Sequence, residues 1–328
     1  MYKAFYHLTQ NPFELTPDPT FLFPTQRHRE ALATIHYGVR QHRGLVVMTG
    51  EVGTGKTLLV RCLLKLLKCG NDSYAYIFNS RLSPLEFLQY MSGVLGLKST
   101  DNNKSTLLLD LVSYLVARHE KRLTTVLVVD EAHDLSADVL EEIRILTNLE
   151  TTQEKLLQIL LVGQPELDEK LDSFDLRQLK QRVALRCKLE PLCPEEIKGY
   201  IERRLQCAGA NSHAGELFPS DTIAAISRYS RGIPRLINTV CENALIAGYA
   251  RQARSVTPDI VDEVAADFRL NTVDPVKIEA RSRSEEVEFW QAVKSSLESR
   301  DGTQGVGPEE NSPPIAVPRG AGRNEPLI

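Results

Sequence analysis

No charge of one sign dominates this sequence. Its 39 Lys and Arg stand against 43 Asp and Glu, a net charge of −4, and the isoelectric point is near 6.0. The broad basic footprint of a chain built around nucleic acid is missing. The strings QRHRE and VRQHRG before residue 44 are basic, but runs this short read as solvated faces. The six cysteines form no C-x-x-C pair, and no histidine cluster accompanies them at zinc spacing. That excludes finger and ribbon arrangements and leaves reduced thiols in a reducing compartment. No apolar run approaches the ~20 residues that cross a bilayer. The start, MYKAFYHLTQNPF, lacks the charged-then-apolar pattern of a secretory leader. The expectation is a cytoplasmic chain without direct membrane insertion, peripheral at the inner membrane only through a partner.

What is present is ordinary globular composition, 42 % hydrophobic and 25 % charged over 328 residues, enough for one large domain or two smaller ones. Residues 1–43 are rich in proline and aromatics (NPFELTPDPTFLFP), then helical from His28 to about Arg40, and are expected to pack on the core that follows. Residues 44–192 alternate β-type runs with helical segments. LVVMT, YAYIF, TVLVVD and QILLVG are nearly continuous apolar runs, as in strands buried on both faces of a parallel sheet; ALRCKLEPL is a weaker fifth. Residues 193–268 read as helices only, with SD and TPD as start signals. Residues 269–328 are expected to be a mostly disordered tail, Gly/Pro-rich at 301–328. Within it, 284–299 holds a stripe of Trp290, Val293 and Leu297, read as a partly helical linker or as a short helix docking in a partner groove.

Between the first strand and the helix TLLVRCLLKLL lies GEVGTGKT, a match to G-x-x-x-x-G-K-[ST]. In this pattern Gly50, Glu51, Val52, Gly53, Thr54 and Gly55 supply backbone N–H groups to curl around phosphate oxygens. The helix start at Leu58 adds its dipole. Lys56 reaches the β- and γ-phosphates and Thr57 ligates Mg²⁺. The strand TVLVVD ends in two adjacent carboxylates, which are costly without a cation. Asp130 is suited to hold Mg²⁺ and Glu131 to polarise the attacking water. His133 reads as a structural or helix-start residue. Gln164 ends another strand with an amide able to orient water; Arg182 precedes the last strand; Arg235 follows a Gly-Ile-Pro turn.

That order, phosphate loop, DE strand, polar strand end, edge arginine and helical lid with a G-x-P-R turn, resembles the AAA+ ATPases. The resemblance implies an α/β P-loop fold with a five-stranded parallel sheet, order 5-1-4-3-2, and a C-terminal all-helical lid. It makes Gln164 the first sensor, Arg182 an arginine finger lent to a neighbouring subunit of a homo-oligomer, with Arg177 as rival, and Arg235 the second sensor. Over residues 1–268 the strings PFELTPDPTFLF, HREAL, DEAHDLS, LTNLETTQEKLLQILLVGQPEL and GIPRLIN look like the ExeA/GspA family of secretion-pathway ATPases. This adds a nucleotide role for Phe23 and His28. Members of that family often continue into a transmembrane helix and a peptidoglycan-binding part. Here a Gly/Pro tail follows, which favours a cytosolic module docking onto another component. The implied activity is hydrolysis of ATP with Mg²⁺ to drive or switch assembly of an envelope secretion or export system, with a protein partner in an inner-membrane complex. The alternative is a DNA-associated ATPase of the transposition type.

Overall fold

The structure is a computed structural model that describes residues 2–78, 81–97, 103–210 and 214–270; the 284–299 stripe and the tail lie outside them. In chain order the elements are α1 (Tyr2–Phe5), α2 (Gln26–Arg40), β1 (Leu45–Gly50), α3 (Lys56–Cys69), β2 (Ser73–Ile77), α4 (Pro84–Val94), α5 (Lys104–Glu120), β3 (Thr125–Val129), α6 (Ala137–Leu146) and β4 (Gln158–Gly163). After these come α7 (Glu166–Leu171), α8 (Arg177–Lys180), β5 (Val183–Leu189), α9 (Pro194–Cys207), α10 (Ala214–Leu217), α11 (Ser220–Ser230), α12 (Pro234–Ala250) and α13 (Pro258–Asp267).

The five strands form one parallel sheet in the order β2-β3-β4-β1-β5, which is the expected 5-1-4-3-2 read from the other edge. The three central strands are buried along their whole length, the reason they appear in the sequence as unbroken apolar runs. β5 is an edge strand whose residues alternate between half-buried and exposed, hence its weak signal. Successive side chains point to opposite faces. Leu45, Val47, Leu127, Val129, Ile159 and Leu161 pack under α4, α5 and α6. Val46, Met48, Val126, Val128, Leu160 and Val162 pack under α2 and α3.

A separate apolar cluster is built from α9, α11, α12 and α13. Tyr2, Tyr6, Leu8 and Phe13 belong to this cluster and not to the sheet. The N-terminal segment is shared between the two clusters: residues 2–13 join the helices, and α2 covers the sheet. The buried Arg204 ties the two, donating from Nε to the Pro12 carbonyl at 2.6 Å and from Nη2 to that of Glu14 at 3.1 Å. Its guanidinium lies 4.8 Å from the Phe21 ring centroid. A buried guanidinium is stable only with such a full set of acceptors.

The turn before α12 is fixed by backbone. Gly232 has φ +73° and its carbonyl accepts from Leu192 N–H at 2.8 Å. A Cβ there would fall 2.0 Å from the Leu192 carbonyl oxygen. Gly232→Ala should therefore cost at least about 2 kcal/mol of stability through left-handed strain plus the clash, read by denaturant or thermal melts; a neutral result would mean the turn is not held this way.

Candidate active site

The phosphate loop leaves the C-terminal end of β1 and enters α3 through Gly55, with no side-chain cap on that helix. Its first N–H groups are thus left for another acceptor. Lys56 is buried, and its Nζ donates to the carbonyls of Gly50 at 2.7 Å and Glu51 at 3.0 Å. Burial holds its pKa below the usual lysine range, partly offset by Glu131 and Asp130. Thr54 closes the loop, bonding to the Glu51 carbonyl.

Behind the loop lies His28, buried on α2. Its Nδ1 is 2.7 Å from Thr25 Oγ1, and its ring also bonds to the Thr54 backbone. Phe23 packs edge-on to Tyr200, with ring centroids 6.0 Å apart. Neither His28 nor Phe23 lines the cleft. Their contacts are with the loop, at Thr54, and with its facing wall, at Tyr200.

Asp130 follows β3 and is buried. One of its oxygens accepts from Thr57 Oγ1 at 3.1 Å and from the Tyr76 hydroxyl at 2.9 Å; the other accepts from Glu131 N–H at 3.0 Å. Burial, then the Asp130 charge, pushes the Tyr76 phenol well above its ordinary range, so it stays a donor. Glu131 adopts φ +52°, ψ +39°, an uncommon left-handed conformation for glutamate that carries strain. Its Oε2 is buried without a hydrogen-bond donor, and His133 Nδ1 lies 3.5 Å away. The other ring nitrogen, Nε2, meets the Gln164 side-chain amide at 2.7 Å. Lys170 on α7 fixes this turn by donating to the carbonyls of His133 at 2.6 Å and Leu135 at 2.7 Å.

The fourth wall comes from the helices. Arg235 N–H donates to the Gly53 carbonyl at 3.2 Å. Gly53 has φ +83°, and a Cβ there would lie 2.7 Å from Arg235 Cβ. The α12 start is therefore seated directly on the phosphate loop. Tyr200, Arg204 and Asn238 line the cleft beside it, with Tyr200 donating to Asn238 Oδ1 at 2.8 Å.

These walls enclose a cleft of about 280 Å³. Of the residues singled out in the sequence, it brings together Val52, Gly53, Gly55, Lys56, Thr57, Leu58, Glu131, Gln164 and Arg235. Gly50, Thr54 and Asp130 stand buried behind this surface, and Glu51 is exposed outside it. Arg182 is exposed and outside the cleft, and Arg177 stacks 4.2 Å from the Phe174 ring centroid. Residues 14–18 of the proline-rich segment form a further wall, and Tyr200 and Arg204, which the sequence did not single out, line the cleft with them. Tyr76 and the bridging position of His133 also went unread; they come from separate elements joined only by the sheet.

The geometry fits a nucleoside triphosphate with Mg²⁺: free N–H groups at a helix start, a buried lysine, a hydroxyl paired with a buried carboxylate, and an orphaned carboxylate oxygen. The model of the AAA domain family matches residues 39–171. Residues 39–171 therefore carry an AAA domain. The ExeA/GspA resemblance also holds, since this AAA chain is 41 % identical over 257 residues to the general secretion pathway protein A of Aeromonas hydrophila. That match covers 78 % of this chain but only 46 % of the relative, so the chain spans about half that protein's length. The AAA fold is shared with the Aeropyrum pernix ORC2 protein (TM-score 0.59, 15 % identity, 83 % of this chain and 74 % of that one). It is shared as well with a Drosophila ORC chain (TM-score 0.60, 18 % identity, 85 % and 67 %).

His28 yields a pH test. Burial outweighs its bond to Thr54 and holds its pKa below the ordinary 6.5. As pH falls through that value the unfolded chain takes up a proton that the folded one refuses. Stability contributed by the neutral ring is thus present above this range and lost below it. Thermal melts from pH 7 to 5 (about the range in which histidine titrates) should fall less steeply in His28→Gln than in the parent. Identical slopes would contradict this account of the loop's support.

Proposed function

We propose that this AAA protein binds ATP with Mg²⁺ in the cleft, hydrolyses it within a homo-oligomer, and so drives or switches assembly of an envelope secretion or export system. The observation that carries the reading is convergence: Lys56 with Thr57, Glu131, Gln164 and Arg235 reach one cleft from four separate parts of the chain. The secretion context is taken from the similarity to general secretion pathway protein A. Cytoplasmic placement, peripheral to the inner membrane through a protein partner, belongs to the same proposal; no helix among the described residues is long and apolar enough to cross a bilayer.

In this reading the loop N–H groups and Lys56 hold the phosphates, and Lys56 exchanges its loop carbonyls for phosphate oxygens. Thr57 and Asp130 would hold Mg²⁺, which neutralises charge on the β- and γ-oxygens. Glu131, with its unused oxygen, accepts a hydrogen bond from the attacking water, and Gln164 fixes the water's position through its link to His133. The water oxygen bonds to the γ-phosphorus as the bond to the ADP oxygen breaks. Arg235 contacts the γ-phosphate from α12. Arg182 of a neighbouring subunit neutralises the transferring group, an effect on the order of 10³ to 10⁵ in rate.

The direct test is Mg²⁺-dependent ATP hydrolysis by the full chain, with Glu131→Gln expected to lower kcat at least about a hundredfold while ATP still binds. Equal turnover in the two would leave a nucleotide-gated scaffold. Duplex binding that requires ATP and weakens steeply with salt would replace the secretion reading with the DNA-associated one.

Arg235→Ala should reduce turnover while leaving the melting temperature without nucleotide unchanged; a large loss of stability instead would make Arg235 structural. For the shared site, Lys56→Ala lacks phosphate binding but still donates its finger, and Arg182→Ala does the reverse. Mixing the two inactive variants should restore activity. Mixed oligomers that stay inactive would remove Arg182 from the site.

A further inference from the structure

The opposite end of the sheet carries a second cluster that the nucleotide site does not use. His42 lies two residues beyond α2 and three before β1, His119 is in the last turn of α5, and Glu154 is in the loop before β4. All three precede strands of the parallel sheet, so they gather at the strands' N-terminal edge. The phosphate loop leaves the other edge, roughly 17 Å away along β1. One ligand atom from each residue lies within 4.8 Å of the others. His42 Nδ1 is 3.6 Å and His119 Nδ1 3.9 Å from the same Glu154 oxygen, Oε2.

We propose that His42, His119 and Glu154 form a binding site for a divalent transition-metal cation of the Zn²⁺ type. A tetrahedral ion with bonds near 2.0–2.1 Å places its ligand atoms about 3.3 Å apart, so closure requires shifts of a few tenths of an ångström from the two measured separations. Two imidazoles and one carboxylate match Zn²⁺ in donor type, whereas Mg²⁺ prefers oxygen alone. Three protein ligands leave a fourth position for water, consistent with side chains that are only partly covered. His42 Nδ1 also lies 3.2 Å from the Lys155 carbonyl; metal binding exchanges that contact for coordination. The backbone favours the arrangement, because His42 is held at φ +49° with its N–H bonded to Val39. The ion would clip together the ends of α2 and α5 and the Glu150–Lys155 bridge. The ligands come from three distant segments, which is why spacing rules for zinc motifs give no sign of it.

The test uses the full chain without nucleotide, titrated with Co²⁺ and followed by its visible ligand-field band, with thermal melts in Zn²⁺ with and without chelator. One equivalent of Co²⁺ should bind, and Zn²⁺ should displace it and raise the melting temperature reversibly. His119→Ala and Glu154→Gln should each weaken binding by about tenfold or more, and Cys69→Ser, which removes an exposed thiol, should not. Absence of the band would overturn the proposal, as would its persistence in a His42→Ala, His119→Ala double variant. If the histidine variants fold poorly, Glu154→Gln decides, since its side chain is half exposed: undiminished binding there also overturns it.

Discussion

A single backbone hydrogen bond, Arg235 N–H to the Gly53 carbonyl, sets much of the rest. It uses one of the N–H groups that every helix start leaves unpaired, and it spends it on the phosphate loop. For it to form, the loop and α12 must touch without side chains between them. Gly53 supplies that on one side, and the Gly232 turn, locked to Leu192, sets the direction of approach on the other. The α12 start is thus tied both to the loop after β1 and to the chain leaving β5. Any movement of the phosphate loop is felt directly by the helix that carries Arg235.

The electrostatics of the cleft follow from the same closeness. Lys56 is buried among its own loop carbonyls with Glu131 and Asp130 nearby, while Arg235 is exposed at the rim. Among the described residues the Arg235 guanidinium has no ion-pair partner. A triphosphate would satisfy Lys56, the α3 start and Arg235 together, whereas a diphosphate reaches less far. Under the proposed function, that difference in contact would let a nucleotide shift the balance between two arrangements of loop and helix. Tyr76 and Lys170 supply rigidity: one holds Asp130, the other pins the turn that bears Glu131 and His133.

The sheet was legible because central parallel strands must be apolar on both faces, and the order 5-1-4-3-2 came with the AAA+ resemblance and not from periodicity. The phosphate loop, Asp130, Glu131 and Gln164 were legible because their chemistry is tied to strand ends, which the apolar runs locate. Arg204 and Tyr200 were not, since an i, i+4 pair on an amphipathic helix looks like any other until Pro12 and Glu14 are brought against it. The depth of His28, buried beside Thr25 behind the phosphate loop, was not legible either, because sequence gives no depth. That residues 2–13 pack against the helices was not legible for the same reason: an aromatic segment reveals that it is buried but not against what.

The account turns on whether the loop and α12 respond together to the terminal phosphate. Amide hydrogen exchange across residues 232–238 measures this directly, in the apo state, with ADP, and with a non-hydrolysable ATP analogue, Mg²⁺ present throughout. The prediction is slowed exchange at the start of α12 with the triphosphate analogue and distinctly less protection with ADP. Equal protection by both nucleotides, or none by either while the phosphate loop itself becomes protected, would contradict it.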